Sequence, residues 1–243
     1  MRARLLCKPC DTRKDGSNGV TTCVIVPAYN AAASLAPLIT RARALGFEVL
    51  VVDDGSNDST AQVAERAGAR VVQSAVNQGK GAALQRGFAE ALHLGCDLII
   101  TMDADGQHDP EELPRFVRAA TEQPQAGLII GNRMAEVHHM PWLRRWTNRC
   151  MSWWLSRAAH QRVPDSQCGF RLMRRAFLSR CRLTSGHFEI ESELILEAAR
   201  LGVPIQSLPI RTVYGDEHSH IHPLRDTIRF VRMLASYRRA HRT

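Results

Sequence analysis

Long apolar runs are missing from this 243-residue sequence. The longest, such as Val49 to Val52 and Leu128 to Ile130, are strand-length and far below the ~18–20 residues that a membrane-spanning helix needs. The first 19 residues are basic and polar, without the apolar stretch of a secretory signal, and they read as a flexible leader. No Gly-x-Gly-x-x-Gly follows the first apolar strand, which argues against a dinucleotide-dependent dehydrogenase. Asn77-Gln78-Gly79-Lys80-Gly81 is not a Walker loop, because both the spacing and the Ser/Thr after the lysine are absent. There is no internal repeat, no low-complexity linker and no recognised DNA- or RNA-binding motif, so nucleic acid is not an expected partner.

Acids are also scarce, with 24 Asp and Glu against 32 Lys and Arg, a net charge of +8. The imbalance peaks near the end, where six arginines (225, 229, 232, 238, 239 and 242) face one acid, Asp226. Such a segment favours anionic partners. Seven cysteines are present, scattered in the manner of reduced thiols in a cytosolic protein. Cys7-Lys8-Pro9-Cys10 has no second pair to complete a zinc site, and the other cysteines read as small core or near-surface residues.

What is present is a 44% hydrophobic composition arranged as short apolar strands alternating with helical patterns. This alternation predicts βαβ units and an α/β domain with a mainly parallel sheet flanked by helices. Strands are expected at Thr22–Val26 (ended by Pro27), Glu48–Asp53, Ala69–Gln73, Leu98–Met102, Leu128–Gly131 and Ile205–Thr212. Helices are expected at Ala31–Leu45, with Pro37 awkward inside it, and from the Asp53–Thr60 turn to Ala67. Further helices are expected from the Asn77–Gly81 segment to about His93, over Pro110–Glu122, around Trp142–Trp154 and over Phe188–Leu201.

The richest stretch is Ile99-Ile100-Thr101-Met102-Asp103-Ala104-Asp105-Gly106-Gln107-His108. An apolar strand breaks directly into Asp-x-Asp, and residues two apart in extended chain point the same way. Asp103, Asp105 and Gln107 therefore form a candidate set of hard oxygen ligands for Mg²⁺ or Mn²⁺, ions that leave room for substrate phosphates. An EF-hand calcium loop fails, because its glycine would fall on His108 and its final glutamate on Pro114.

Taken in order, several segments resemble the family-2 glycosyltransferases of the GT-A fold, and in particular the dolichyl- and polyprenyl-phosphate mannose synthase-like branch. They are Val24-Ile25-Val26-Pro27-Ala28-Tyr29-Asn30, Val51-Val52-Asp53-Asp54-Gly55-Ser56, Asn77-x-Gly79-Lys80-Gly81, Asp103 to His108 and Gly131-Asn132-Arg133. Cys168-Gly169-Phe170-Arg171, Phe188-Glu189-Ile190-Glu191 and Tyr214-Gly215-Asp216-Glu217 continue the series. The resemblance implies one GT-A domain over residues 20–222, with a nucleotide-sugar half (20–133) and an acceptor half (134–222). A basic amphipathic helix over 223–243 follows.

It implies roles as well. Pro27 and Tyr29 would line the base pocket, and Asp54, beside Asp53, would hydrogen-bond the base. Asp103, Asp105 and Gln107 would hold the cation on the donor's diphosphate, with Ala104 and Lys80 in the same donor site. Arg133 would face the donor phosphates or the acceptor, and Glu189 and Glu191 would be candidate bases if the acceptor is a hydroxyl. The alternative for these glutamates is the solvated face of a helix. The implied activity is an inverting, metal-dependent transfer from a nucleotide-diphosphate sugar to a lipid-carrier or lipid-linked acceptor. The implied setting is cytoplasmic, peripheral on the inner face of a membrane, with the C-terminal helix on anionic headgroups. A non-catalytic nucleotide-sugar or lipid-binding protein is the alternative. Ser219 and His220 stand where the branch grips the acceptor phosphate, although His220 replaces a lysine and Gly215 an arginine. Ala31 replaces a glutamate.

Overall fold

Val24-Ile25-Val26, Val49 to Val52 and Ile99-Ile100 are apolar at successive positions, so both faces of these strands are covered, as in parallel sheets packed between helices. The computed structural model describes residues 19–134, 142–186 and 189–211. Its strands are β1 Thr22–Ala28, β2 Glu48–Asp53, β3 Arg70–Gln73, β4 Leu98–Thr101, β5 Leu128–Asn132, β6 Arg171–Arg174 and β7 Ile205–Pro209. Its helices are α1 Ala32–Ala44, α2 Thr60–Arg66, α3 Lys80–His93, α4 Leu113–Glu122, α5 Trp142–Ala159, α6 Arg175–Leu178 and α7 Ile190–Arg200. One sheet holds all seven strands in the order β3-β2-β1-β4-β6-β5-β7. All neighbours are parallel except β6, which runs antiparallel to both β4 and β5. This is the mainly parallel α/β sheet that the sequence predicts.

Four details differ from the sequence reading. β1 continues through Pro27 to Ala28 rather than ending at the proline. Asp54 N–H donates to the Ala28 carbonyl at 2.9 Å, so Ala28 faces β2 and Pro27 faces β4. The β4 ladder has already ended at Ile25 and Thr101, and the missing N–H of Pro27 costs no ladder bond. The expected helix over Pro110–Glu122 is broken into a 3₁₀ turn, Pro110–Glu112, and α4. Pro114 cannot donate back to Pro110, so the α-helix restarts where proline is tolerated, in its first turn. Asp109 caps the turn by accepting from Glu111 N–H at 3.1 Å. The last helix, expected to include Glu189, begins at Ile190, and Phe188 lies outside the described residues.

The fourth difference is β6, where the sequence reading saw a motif and no strand. Arginines at both ends disguise it, yet Arg171, Leu172 and Met173 are all buried. The strand stitches β5 and β7 onto the β1–β4 unit, so the 20–133 and 134–222 segments share one sheet. Pro37 sits inside α1 on its exposed side, where the carbonyl it leaves unpaired can meet water.

Candidate active site

The parallel strands deliver their C-terminal ends to one edge of the sheet, where open α/β sheets bind ligands. At the end of β2, Asp53 and Asp54 are 1% and 3% exposed. Asp53 Oδ1 accepts from the Ser56 N–H (3.0 Å) and hydroxyl (2.5 Å), and Oδ2 accepts from Gln73 (3.2 Å). Asp54 Oδ2 accepts from the Gln78 and Gly79 N–H groups at 3.0 and 2.6 Å, and Oδ1 from Arg86 at 3.3 Å. Both carboxylates thus hold the loops at 55–56 and 77–79 that frame the edge. Pro27 is a buried strand residue, whereas the Tyr29 ring, 46% exposed, stands free at the mouth.

The loop fixed by Asp54 starts α3, whose first residue is Lys80. Its ammonium lies 2.6 Å from Asp103 Oδ1 and 2.7 Å from Glu191 Oε1. Asp103 comes from the end of β4 and Glu191 from the first turn of α7, so one cation ties three distant segments together. Burial works against the ammonium, but the two carboxylates more than offset it and hold the Lys80 pKa above its ordinary value. Burial likewise raises the Asp103 carboxyl, and Lys80, with smaller contributions from His108 and Arg133, more than reverses this, leaving it below the usual carboxylate range. Asp103 packs directly on Gly169, where any Cβ would overlap both carboxylate oxygens.

Beyond Asp103 the chain turns through Gly106 at φ +73°. Asp105 is exposed and accepts from Gln107 N–H at 3.0 Å; Ala104 and Gln107 are half-buried. Ala104 is tied down through its carbonyl, which accepts from the Ser34 hydroxyl at 2.5 Å. His108 is buried, with its ring 5.1 Å from Phe170 and its Nδ1 accepting from Asp103 N–H at 3.2 Å. Two carboxylates and an amide on one turn are hard donors that fit Mg²⁺ or Mn²⁺ shared with substrate phosphates. Among the described residues no three His, Cys, Asp or Glu side chains form a closed metal cage, so the rest of the coordination shell would have to come from substrate and water.

Arg133, just past β5, is bound on two sides by Asp165: Nε to Oδ2 at 2.8 Å and Nη2 to Oδ1 at 3.1 Å. The Arg133 N–H also reaches Oδ2 at 3.1 Å. Asn148 on α5 donates to Asp165 Oδ1 at 2.9 Å, and Ser152, one turn on, bonds Ser166. Burial pushes the Asp165 carboxyl up, but the Arg133 guanidinium and the Asn148 amide hold it below its ordinary value. Nearby, fully buried Arg171 donates to the carbonyls of Cys168 (2.8 Å), Ser166 (2.7 Å) and Glu191.

The structure therefore gathers Lys80, Asp103 and Glu191 in direct contact, with Ala104, Asp105 and Gln107 on the adjoining turn. Arg133 lies close enough for its charge to be felt at Asp103. Glu189 is half-buried just before α7. The solvated-face alternative does not hold for Glu191, which is 5% exposed; Glu197, further along α7, is equally buried. Glu197 binds Arg182 N–H and Arg200, and Glu193 binds Thr184 and Ser185. Ser219, His220, Cys7, Cys10 and the segment Arg225–Thr243 lie outside the described residues. Of the remaining cysteines, Cys23, Cys96 and Cys168 are buried, and Cys150 is exposed.

Sequence reasoning gave no role to Asp165, Asn148, Gly169 or Arg171. Gly169 and Arg171 stood inside a quoted motif, and Asp165 beside it. Asn148, polar within a Trp- and Arg-rich helix, carried no signal.

With this geometry in view, the similarity to known proteins is specific. The glycosyl transferase family 2 model matches residues 23–182, and the chain belongs to that family. It is 31% identical over 224 residues to glycosyltransferase AglJ of Haloferax volcanii, covering 90% of this chain and 71% of AglJ. It is 38% identical over 167 residues to an undecaprenyl-phosphate 4-deoxy-4-formamido-L-arabinose transferase of Pseudomonas aeruginosa, covering 64% of this chain. The match spans only 47% of that transferase, about half its length. Among solved structures, glucosyl-3-phosphoglycerate synthase of Mycobacterium tuberculosis with Mn²⁺, UDP and glucosyl-3-phosphoglycerate superposes with a TM-score of 0.68. That match has 23% identity and covers 90% of this chain and 78% of the synthase, a likeness of fold.

Proposed function

We propose that this chain is an inverting, metal-dependent glycosyltransferase that moves a sugar from a nucleotide-diphosphate donor to a polyprenyl phosphate. The observation that carries the reading is the cation-linked cluster of Lys80, Asp103 and Glu191 at the carboxyl edge of a family-2 sheet. Asp103, Asp105 and Gln107 would hold Mg²⁺ or Mn²⁺. Bound there with the donor, the ion would neutralise charge building on the departing diphosphate. Lys80 and Arg133 supply fixed positive charge on the same side. Tyr29 and Pro27 form the wall against which a base can lie, and Asp53 and Asp54 set the loops beside it.

Glu191 bears on the acceptor. A hydroxyl nucleophile needs a base to take its proton, but Glu191 Oε1 is committed to the Lys80 ammonium at 2.7 Å. Protonating Glu191 would break that ion pair. An acceptor that is already anionic, a lipid phosphate, needs no base and suits this arrangement better. The relative named for undecaprenyl phosphate supports the same acceptor class. Ser219 and His220 keep their proposed place in the acceptor grip, and Arg225–Thr243 its proposed place on the membrane.

Calorimetric titration with UDP, GDP and their sugars, with and without Mn²⁺, tests the reading. Tight binding of one nucleotide is expected only with the metal, and Asp105→Ala should abolish the metal's effect in a folded protein. Binding of no nucleotide, or equal binding without metal, would overturn the donor site.

A further inference from the structure

This chain builds its positive charge almost wholly from arginine. Of its 32 basic residues only Lys8, Lys14 and Lys80 are lysines, so Lys80 is the one lysine among the described residues. Its ammonium lies between two carboxylates, 2.6 Å from Asp103 Oδ1 and 2.7 Å from Glu191 Oε1. Arginine ends in a rigid planar fork, whereas lysine ends in a compact point charge on a flexible four-carbon stem. Lysine is therefore the side chain closest in shape to a bare cation. The carboxylate it holds is also the first of the three oxygen ligands assigned to Mg²⁺ or Mn²⁺. Asp105, the second, is exposed and accepts from Gln107 N–H at 3.0 Å.

We propose that Lys80 is a placeholder for the divalent ion, holding Asp103 until a nucleoside diphosphate draws the ammonium away. Metal and donor then bind as one unit rather than separately. The inference deepens the donor-site reading and rests on it. The contacts decide which partner gives way. Asp103 is boxed in: its N–H donates to His108 Nδ1 at 3.2 Å, and its carboxylate packs on Gly169. The Lys80 backbone is fixed as well, because Asp54 accepts from the preceding Gly79 N–H at 2.6 Å. The lysine stem is left as the movable part, and solvent still reaches 18% of it. A dication and an ammonium on one carboxylate repel each other, so the metal alone is disfavoured while Lys80 stays. A diphosphate removes the conflict, since its oxygens can take the ammonium and also complete the ion's shell. By linkage, the factor by which nucleotide raises metal affinity is the factor by which metal raises nucleotide affinity.

The test measures binding rather than turnover. Electron paramagnetic resonance follows Mn²⁺ on the full chain, first with the metal alone and then with UDP or GDP. The natural chain should bind Mn²⁺ alone weakly, and the accepted nucleotide should tighten it about tenfold or more, the usual range for coupled sites. Lys80→Met should bind Mn²⁺ alone about tenfold more tightly than the natural chain. Adding Asp103→Asn to that variant should abolish the gain. In protein labelled with ¹³C at the lysine ε-carbon, with Lys8→Arg and Lys14→Arg removing the other two signals, the Lys80 resonance should stay in place with Mg²⁺ alone. It should shift when nucleotide and Mg²⁺ are added together. Equal affinity of the natural chain and a folded Lys80→Met for Mn²⁺ alone would overturn the placeholder. So would a Lys80 resonance that does not move in the ternary complex, or a gain that survives Asp103→Asn and so reflects only lost charge. Failure of both nucleotides to bind would overturn the donor-site reading, while the metal-alone comparison decides the placeholder separately. Circular dichroism matching the natural chain separates these effects from lost folding.

Discussion

Two buried charge arrangements flank the candidate site, and they are closed to different degrees. Around Lys80 the side chains keep some access, 18% for the lysine and 24% for Asp103, and one cation is shared by two carboxylates. Around Arg133 the pair is sealed, at 8% and 0% exposure, with fork geometry and a further amide on Asp165. The open cluster can exchange a partner when phosphates or a cation arrive. The sealed pair cannot do so without a large penalty. The difference separates side chains that solvent still reaches from those that are built in: Lys80 and Asp103 stay partly accessible, while Asp165 holds a guanidinium in register.

Breaking the sealed pair should cost most. Asp165→Asn leaves Arg133 buried without its counter-charge, a loss of about 3–5 kcal/mol, or about 10 °C in Tm for a chain of this size. The pH dependence has a definite sign. Asp165 is held below its ordinary pKa, so its stabilisation is present above the unfolded value of about 3.9. It is lost as pH falls through the lower folded value. Urea midpoints between pH 7 and pH 3 should fall more steeply for the natural chain than for the variant. Equal slopes would remove Asp165 from the account.

The two regions also differ in how readable they were. In the first half, Asp53, Asp54 and Asp103 end strands whose apolar runs are continuous, so periodicity and turn residues located both the elements and the candidate ligands. The second half is held by contacts between residues far apart in sequence. Arg133 meets Asp165 across 32 positions and Lys80 meets Glu191 across 111, separations that no local pattern encodes. β6 was missed for the same reason. A buried arginine at its start looks like a surface residue until the carbonyls of Ser166, Cys168 and Glu191 are seen around it. Glu191 was open to misreading as solvent-facing because its partner Lys80 comes from another segment.

Within the open cluster, Lys80→Met should have the next effect. It leaves Asp103 and Glu191 facing one another without a cation and removes a fixed charge from the donor side. Loss of one such preorganised group costs on the order of 10²-fold in kcat. Steady-state kinetics with the donor identified by calorimetry would measure it. Turnover within a few-fold of normal would make Lys80 a structural pin only.

Gly169→Ala probes the contact between the two regions. The added Cβ meets the Asp103 carboxylate, which is held by Lys80 on its other side and has little room to retreat. Overpacking of this kind costs about 1–3 kcal/mol. Because Asp103 would be pushed off its position, metal-dependent nucleotide binding should weaken as well. A stable variant with normal binding would mean that the Asp103 turn is softer than its contacts imply.

The smallest effect is expected from Glu191→Gln, and its smallness is informative. The amide oxygen can still accept from Lys80, and Asp103 still neutralises the ammonium, so the cluster keeps its geometry. If the acceptor is a lipid phosphate, no proton needs to be taken and kcat should change less than about fivefold, under ~1 kcal/mol. If Glu191 instead serves as a base toward a hydroxyl, losing it should cost the 10²- to 10⁴-fold typical of general-base catalysis. Assayed alongside Lys80→Met with the same donor, the variant separates a cluster that uses its cation from one that uses its carboxylate. A loss larger than that of Lys80→Met would reverse the roles argued for the two residues and move the acceptor from phosphate to hydroxyl.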